Sequence, residues 1–499
     1  MGDGFVAVEY VHRVSRAGDA QLHSHVVMAN LTRADGRWTT LDGRALYANL
    51  KTASALYHVE LRAELTRRLG VEWEPVAPGK LAAEIRGVPR AVLRDQSRRR
   101  EEIVRRMADR GESSPRAAQA AAVDTRKAKH YGLDGCDVAR ELRMRIADKG
   151  FGPAALSAVV DRQRLERPTT GELLRASREL LGPRGLTEHR STFSRGEVIQ
   201  RWAAAHQQGE SAGRIVRLSD RWLAQREVVG LQPASVAVGG TCDQLPIVLA
   251  DNRGQLRYST RSLVATEQPL LGRVAAGRGA GVAIVSPAAV KRVLTAHPDL
   301  SPEQAALVWE LTSSGHRIEN VEAGAGAGKT HALGVAVEAF GAAGHPALGT
   351  STANLAARTL EQEAGVRALN TTRLLTDVDR GEALAPGTVL LVDEAGMVGT
   401  RSYQRLAAHV SAAGGKLIGV GDSRQLAEID AGGAFRAISD RFGAVELSGN
   451  RRQVDPEEIR VLAAMRDGDP DAYVFFEHQR GRITVAETPA QARHSQLAD

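Results

Sequence analysis

The amino-acid sequence predicts an α/β multidomain protein, with a parallel sheet at the C-terminal end and an α+β region at the N-terminal end. The chain has 499 residues, which is too many for one hydrophobic core. Residues 1–74 combine alternating strand patterns with one long helical pattern. From about residue 300, short apolar strands alternate with amphipathic helices, which is typical of a parallel sheet with crossover helices.

Two strand patterns near the N-terminus predict a β-hairpin that carries three histidines. VAVEYVH precedes a turn, SRAGDAQ, and the apolar run VVMANL follows. Side chains two residues apart share one face of a strand, so His23 and His25 point to the same side. If the strands pair about Gly18, His12 lies opposite or diagonal to His23. Three imidazoles suit a divalent metal ion with open positions, although hydrogen-bonded histidines on a half-buried sheet are the alternative.

Helical patterns fill the next part of the chain. KTASALYHVELRAELTRRLG predicts a helix ending at Gly70, with apolar residues at Ala53, Leu56, Leu61 and Leu65. Residues 75–190 are helical and basic and are broken by glycine and proline, which favours a helical connector. Residues 191–295 mix helices with short strands, and we assign them to an auxiliary domain.

A glycine-rich loop gives the strongest chemical signal. HRIENVEAGAGAGKTHALGVAVEAF (316–340) reads as strand, loop and helix, with Ala323 at the first glycine position of a P-loop. Lys329 would reach the β- and γ-phosphates, and Thr330 would bind Mg²⁺. The loop's backbone N–H groups would surround phosphate oxygens at Gly324, Gly326 and Gly328. A chance glycine-rich loop is the alternative.

Two later strand ends carry acidic and amide side chains. TVLLVDEAGMV ends in Asp393, which would hold Mg²⁺ through water, and Glu394, which would orient or deprotonate the attacking water. KLIGVGDSRQL places Asp422 and Gln425 beside the γ-phosphate. Because ligands bind at the carboxyl edge of an open parallel sheet, these residues and the glycine-rich loop predict one nucleotide site.

Charge and composition limit the class of protein. A net charge of +7 and a pI near 9.6 favour a polyanionic partner, although a solvated helix surface also explains runs such as RRREEIVRR. The longest apolar runs fall far below the ~18 residues of a membrane span, so we expect no membrane insertion and a cytoplasmic location. Cys136 and Cys242 are far apart, which suits a reducing compartment.

The motifs GAGAGKT, DEAGMV, GDSRQL and LSGNRRQ resemble, in this order, those of RecD-like superfamily-1 helicases over about 295–480. The resemblance implies a RecA-like lobe that uses ATP and Mg²⁺. It implies that Gln304 in LSPEQ reads the adenine and that Ala347–Ala353 leads to a motif touching single-stranded DNA. The catalytic residues it implies are Lys329, Glu394, Gln425 and Arg452, with Arg452 approaching the γ-phosphate.

Residues 5–31 resemble the histidine-triad segment of MobF-class conjugative relaxases. In that family the triad holds a divalent cation (Mg, Mn, Zn or Ni are the candidates here) that polarises the scissile phosphate. Both signatures in this order, with a basic helical connector between them, resemble that family's relaxase-helicase layout. The resemblance implies single-stranded DNA as the partner, and other conjugation proteins or a separately encoded chain as further partners.

Two departures from the family pattern shape our expectations. The family's nucleophilic tyrosines lie well before the triad, and a second RecA-like lobe follows the fourth motif. We expect this chain to lack both, so that the single lobe would bind ATP yet hydrolyse it and translocate poorly. Tyr10, Tyr47 and Tyr57 are expected to be packing residues.

The sequence therefore predicts part of a conjugative relaxase-helicase, which nicks DNA at a transfer origin with a metal ion and unwinds it with ATP. One alternative is a nucleotide- and DNA-binding remnant without turnover, acting with a separately encoded chain. Another is a DNA-dependent ATPase with a structural hairpin. The predicted regions are the C-terminal part of a relaxase domain (1–74), the connector (75–190), the auxiliary domain (191–295), the ATPase lobe (296–480) and the start of a further region (481–499).

Overall fold

The computed structural model divides the chain into two compact units. The first comprises Met1–Ala176, Gly196–Arg221 and Gly481–Asp499, and the second comprises Ser177–Arg195 and Trp222–Arg480. The structure describes residues 4–15, 18–34, 36–41, 43–77, 79–111, 114–125, 135–162, 164–231, 256–324, 326–424, 431–449, 455–466 and 469–483.

The described elements up to Leu223 are mostly helical. They are β1 (Ala7–Val14), β2 (Ala20–Met28), β3 (Thr32–Ala34), β4 (Arg37–Thr39), α1 (Gly43–Ala48), α2 (Leu50–Leu69), α3 (Arg90–Asp95), α4 (Arg98–Asp109), α5 (Pro115–Asp124), α6 (Gly135–Asp148), α7 (Pro153–Ser157), α8 (Thr170–Leu181), β5 (Phe193–Ser194), α9 (Arg195–Ala205) and α10 (Ala212–Leu223).

Strands and helices alternate over the rest of the chain. The elements are β6 (Val228–Leu231), β7 (Arg257–Thr260), α11 (Arg261–Ala276), α12 (Pro287–Ala296), α13 (Pro302–Ser313), β8 (Ile318–Ala323), α14 (Lys329–Ala342), β9 (Ala347–Ser351), α15 (Asn354–Ala364), β10 (Ala368–Asn370), α16 (Thr371–Asp379), β11 (Val389–Asp393), a 3₁₀ turn (Ala395–Met397), α17 (Thr400–Ala412), β12 (Lys416–Gly421), α18 (Ala434–Phe442), β13 (Val445–Leu447), α19 (Pro456–Arg466) and α20 (Pro470–Gln479).

The predicted hairpin is present in the first unit. β1 and β2 pair antiparallel, and His12 lies directly opposite His23. A register shift follows His12. Val14 pairs with Ala20, which is one residue away from the partner that an unbroken antiparallel register would give it. Such a shift is a β-bulge, which bends and twists the strand that carries it.

Helix α2 is confirmed, but the apolar residues of its pattern are not the ones that it buries. Ala53 is exposed and Leu56, Leu61 and Leu65 are only half-buried. The buried side chains are instead Thr52, Ala55, Val59, Arg62, Ala63 and Thr66.

Close approach of another backbone segment explains why α2 buries these residues. A Cβ on Gly209 would lie 2.0 Å from the backbone nitrogen of Ala63, so the backbone at Gly209 packs directly against that of α2. The polar members bond the same neighbour: Thr66 Oγ1 donates to the Gln208 carbonyl at 3.0 Å, and Arg62 Nη2 donates to the Ala203 carbonyl at 2.8 Å. Hydrogen bonds to backbone carbonyls therefore help to determine which face of α2 is buried. A hydrophobic pattern in the sequence does not reveal such bonds.

The expected packing of three tyrosines is also wrong. Tyr10, Tyr47 and Tyr57 expose 54%, 82% and 60% of their surface. Tyr10 lies on the open hairpin, Tyr47 lies in the six-residue helix α1, and Tyr57 lies on the solvent side of α2. The described residues place no layer over these positions.

A six-stranded parallel sheet forms the centre of the second unit, as the sequence predicts. Its strand order is β10-β9-β11-β12-β8-β13. All five residues of β11 are buried. Val389 and Leu391 pack into one hydrophobic cluster, and Leu390 and Val392 pack into another. Because successive side chains of a strand point to opposite faces, helices cover the sheet on both sides, and the strand reads as a continuous apolar run.

The region assigned to an auxiliary domain contributes a small antiparallel sheet to the second unit, in the order β5-β7-β6. Residues 232–255, which include Cys242, lie outside the described part of the chain. Within the described residues, the helices are too short or too polar to traverse a lipid bilayer.

Candidate functional site

The three hairpin histidines come together on one face. The ring centroids of His12 and His23 are 5.2 Å apart, those of His12 and His25 are 4.8 Å apart, and those of His23 and His25 are 5.0 Å apart. One ring nitrogen from each residue lies within 4.8 Å of the other two. The antiparallel register therefore brings together the three residues that the sequence predicts as metal ligands.

The chemistry of this histidine cluster fits a divalent transition metal. Neutral imidazole is a common ligand of Zn²⁺ and of related divalent ions, and one nitrogen from each of the three rings can turn toward a shared point. His23 Nδ1 lies 3.0 Å from the Gln21 carbonyl, and a hydrogen bond there leaves Nε2 free. His12 and His23 are half-buried while His25 is exposed, so one side of the cluster stays open to a substrate.

The glycine-rich loop lies between β8 and α14 in the second unit. Gly326 and Gly328 have φ angles of +81° and +72°, which L side chains rarely adopt. Gly328 precedes the first turn of α14, where Lys329 and Thr330 begin the helix. This left-handed backbone explains why both positions are glycine.

Lys329 lies between the two predicted acids. Its Nζ is 2.7 Å from Glu394 Oε1 and 3.2 Å from Asp393 Oδ1. Burial alone would lower the pKa of the Lys329 amine, but the two carboxylates raise it above its ordinary value overall. The side chain is therefore a fixed positive charge at the carboxyl edge of the sheet.

Two consecutive strand residues can reach one lysine only if the backbone turns between them. Side chains of neighbouring strand residues normally point to opposite faces. β11 ends at Asp393, and Glu394 adopts a left-handed conformation with a φ of +51°. That turn brings the Glu394 carboxylate to the side of Lys329. A non-glycine residue held in this region is strained and occurs most often at functional sites.

One neighbouring strand and one helix bring two further predicted residues, Asp422 and Gln304, near this edge. Asp422 follows β12, which pairs with both β11 and β8, and its Oδ1 accepts a hydrogen bond from the Arg424 N–H at 3.0 Å. Gln304 Nε2 donates to the Gly328 carbonyl at 2.9 Å, so α13 contacts the glycine-rich loop. Gly324 ends the described part before Ala325, and Gln425 and Arg452 lie outside the described residues.

Glu303 is a residue that the sequence reasoning missed. Its carboxylate accepts hydrogen bonds from the Ser448 N–H at 2.6 Å, the Ser448 hydroxyl at 2.8 Å and the Gly449 N–H at 3.0 Å. These bonds lower the pKa of Glu303 overall, although burial opposes the change. They join the start of α13 to the segment that precedes Arg452. The signal in the sequence that could have pointed to Glu303 was its place as a charged residue directly before Gln304 in LSPEQ.

Two family models match different parts of the chain. A model described as "TrwC relaxase" matches residues 2–148, and a model described as "AAA domain" matches residues 299–488. A protein named "Conjugal transfer protein TraA" from Rhizobium radiobacter is 30% identical over 320 residues, which are 63% of this chain and 27% of the relative. The chain is homologous to conjugative relaxase-helicases.

Further similar proteins match shorter parts of this relaxase-helicase homologue. A "Multifunctional conjugation protein TraI" from Escherichia coli is 35% identical over 130 residues, which are 24% of this chain and 7% of the relative. A solved structure titled "Conjugative Relaxase Trwc In Complex With Orit DNA. Metal-Bound Structure" is 29% identical, covers 29% of this chain and 51% of its own, and has a TM-score of 0.27. The chain spans about a quarter of the length of the TraA relatives.

Proposed function

We propose that this chain takes part in conjugative DNA processing, with a metal-dependent site for single-stranded DNA on the hairpin and an ATP site on the parallel sheet. The convergence of the three histidines carries the first half of this proposal, because three imidazoles on one open face are a typical binding site for a catalytic metal. A divalent ion there would polarise the phosphate of a bound DNA strand. The imidazoles of His12, His23 and His25 would hold it.

The second half rests on the contact of Lys329 with both acids. With ATP bound, Lys329 would move from these carboxylates to the β- and γ-phosphates, and Thr330 and Asp393 would hold Mg²⁺. Glu394 would then be free to orient the attacking water. Gln304 would contact the base, and Asp422, Gln425 and Arg452 would act near the γ-phosphate. ATP hydrolysis at this site would drive DNA unwinding in the complete relaxase-helicase.

The domain limits are part of the proposal. The relaxase model extends to residue 148, and hydrogen bonds join the hairpin turn to α3, α4 and α6. We therefore assign these helices to the relaxase-type region, beyond the limit at residue 74 that the sequence suggested. The auxiliary region precedes an ATPase lobe that ends near residue 480. DNA and ATP are both cytoplasmic substrates, so we place the action of the chain there.

ATP hydrolysis with and without single-stranded DNA tests the ATP site. Lys329→Ala should reduce turnover at least ~100-fold, since it removes the charge that meets the phosphates. Lys291→Ala is the matched control, because Lys291 is an exposed lysine on α12. Binding of ATP by the unmodified chain without hydrolysis would favour the alternative of a nucleotide-binding remnant.

Metal content tests the hairpin. His23→Ala should remove the bound ion, whereas His58→Gln, a histidine on α2, should leave the stoichiometry unchanged. Equal metal content in the His23 variant and the unmodified chain would reject the ligand role. The hairpin would then be structural.

A further inference from the structure

The hairpin that carries the histidine cluster has no hydrophobic core of its own. Most residues of β1 and β2 are exposed, including Val8, Val11, Leu22, Val26 and Val27. A lone two-stranded hairpin is marginally stable in water. Contacts outside the two strands must therefore fix the strand pairing that places the histidines together.

The turn between the strands contains one deeply buried carboxylate. Asp19 exposes only 2% of its surface. Its Oδ2 accepts hydrogen bonds from the Ser15 hydroxyl at 3.1 Å and from the Arg99 N–H at 3.2 Å, and its Oδ1 accepts from Arg98 Nε at 2.9 Å. Asp19 therefore closes the turn with Ser15 and joins it to the first turn of α4.

Further contacts hold the backbone on either side of Asp19. Arg145 on α6 donates to the Gly18 carbonyl at 3.1 Å and, through its other terminal nitrogen, to Asp95 Oδ2 at 2.7 Å. The Gln96 side-chain oxygen accepts from the Ala20 N–H at 2.7 Å. The described part of the turn is thus tied to three helical segments that lie far from it in sequence.

Strand register matters more here than in most hairpins. The β-bulge lies between the His12–His23 pair and the Val14–Ala20 pair, directly beside Asp19. A one-residue slip moves every side chain of a strand to its other face. Such a slip would put His23 and His25 on the face opposite His12. Asp19, which fixes the turn directly before Ala20, therefore also helps to fix which side chains meet.

We propose that Asp19 is a positioning residue for the histidine cluster. By binding Arg98 and the Arg99 N–H, it pins the turn to α4 and holds the register in which His12, His23 and His25 can ligate one ion. This inference rests on the proposed metal-binding function and extends it to a residue that does not touch the ion. Outer residues that orient metal ligands typically affect affinity 10- to 100-fold.

Binding of Co²⁺ to the full chain tests this role, because the visible absorption of the bound ion reports its coordination as well as its affinity. Asp19→Asn keeps the shape of the side chain and removes its charge. We expect Co²⁺ affinity to fall ~10- to 100-fold and the absorption spectrum to change. Arg98→Ala should give a smaller loss in the same direction, and the double variant should lose no more than Asp19→Asn alone, since both remove one interaction.

Arg110→Ala is the matched control. Arg110 follows the last turn of the same helix and forms an ion pair with Asp124 on α5, away from the hairpin. This variant should bind Co²⁺ as the unmodified chain does. Helical circular dichroism of each variant reports whether the first unit is still folded, and Ser15→Ala provides a milder change to the turn if Asp19→Asn unfolds.

The outcomes separate this inference from the function it rests on. Unchanged Co²⁺ affinity and spectrum in folded Asp19→Asn would overturn the positioning role while leaving the histidine ligands in place. A Co²⁺ affinity that is the same in His23→Ala and in the unmodified chain would overturn the proposed function itself. Equal losses in Asp19→Asn and Arg110→Ala would show a general effect on stability and would also overturn the positioning role.

Discussion

The hairpin and the parallel sheet place functional side chains by different physical means. Every residue of β11 is buried between two hydrophobic clusters, whereas the strands of the hairpin are largely exposed. The sheet therefore fixes Asp393 through its own core. The hairpin fixes His12, His23 and His25 through polar contacts to helices. One site is supported by apolar packing and the other by a few hydrogen bonds.

The two sites also differ in how far along the chain their supporting contacts lie from the functional residues. Asp393 and Glu394 follow directly from the apolar run that forms β11. Asp19 depends on Arg98, which lies 79 residues further along the chain. A site supported by its own strand is visible in a short motif. A site supported by a distant arginine depends on tertiary structure.

The largest expected difference in stability between the two regions appears when one leucine in each is replaced by alanine. Leu391→Ala, in the buried centre of β11, should lower the free energy of unfolding of the second unit by ~2–5 kcal/mol, because it leaves a cavity in a close-packed core. Leu22→Ala, on the exposed hairpin, should change stability by no more than ~0.5 kcal/mol.

Hydrogen exchange resolved by peptide measures the two leucine variants separately, since the chain has two units. A large loss of protection from Leu22→Ala would show that the hairpin has apolar support after all.

Removal of metal should affect only the hairpin. An ion present at ~100 times its dissociation constant stabilises the state that binds it by ~2.7 kcal/mol. Treatment with a chelator should therefore speed amide exchange in β1 and β2 and leave the protection of β11 and β12 unchanged. The measurement is peptide-resolved exchange before and after chelation, without nucleotide. Faster exchange in the parallel sheet under the same conditions would contradict the independence of the two sites.

Acidification should loosen the hairpin turn of the metal-free protein. Burial alone would raise the pKa of Asp19, but the hydrogen bonds from Arg98, Arg99 and Ser15 lower it overall below the ordinary value of 3.8. The ionised carboxylate therefore contributes stability above pH 3.8, and this contribution is lost as the pH falls through the lowered pKa. We expect the free energy that stabilises the turn to fall by ~1.5 kcal/mol. This value is the lower end of the range for a hydrogen bond to a charged group, and we use it because Arg98 is partly exposed.

Amide exchange of the turn, compared between metal-free Asp19→Asn and the unmodified chain, measures this effect. The two proteins should differ at pH 6 and converge under strongly acid conditions. Convergence already at pH 6 would show that the ionised carboxylate contributes nothing.

The smallest effect is expected from an ion pair on the surface of the second unit. Arg405 Nη2 on α17 lies 2.6 Å from Asp379 Oδ2; the Arg405 side chain is partly exposed and that of Asp379 is exposed. Arg405→Ala should cost ~0–1 kcal/mol by the same exchange measurement, since solvent screens such pairs. A cost close to that of Leu391→Ala would mean that polar contacts support the sheet as strongly as its core does.

Much of the second unit could be predicted because its signals are local. The apolar runs of β11 and β12 and the glycine-rich loop that follows β8 each lie within a short segment, and the structure confirms the parallel sheet they predict. The strand pairing of the hairpin is confirmed for the same reason, since the alternation of side chains and one turn determine it. The roles of the site residues stay predictions.

Other features could not be read from local patterns. The apolar pattern of α2 does not show its buried face, which includes Arg62 and Thr66 because they bond the carbonyls of Ala203 and Gln208. The turn at Glu394 was also invisible, since an acid in a left-handed conformation is uncommon and its sequence carries no mark of it. Glu303 was missed because its partners lie in a distant segment.

The sequence by itself determined which residues lie at strand ends and which share a strand face, because these follow from local periodicity and turn chemistry. It thereby pointed to the histidines of the hairpin, to the two acids at the end of β11 and to the lysine at the start of α14. Only the tertiary structure decided how those groups are held: Lys329 between two consecutive acids, and the hairpin turn on Arg98. Such contacts join segments whose separation along the chain carries no information about their separation in space.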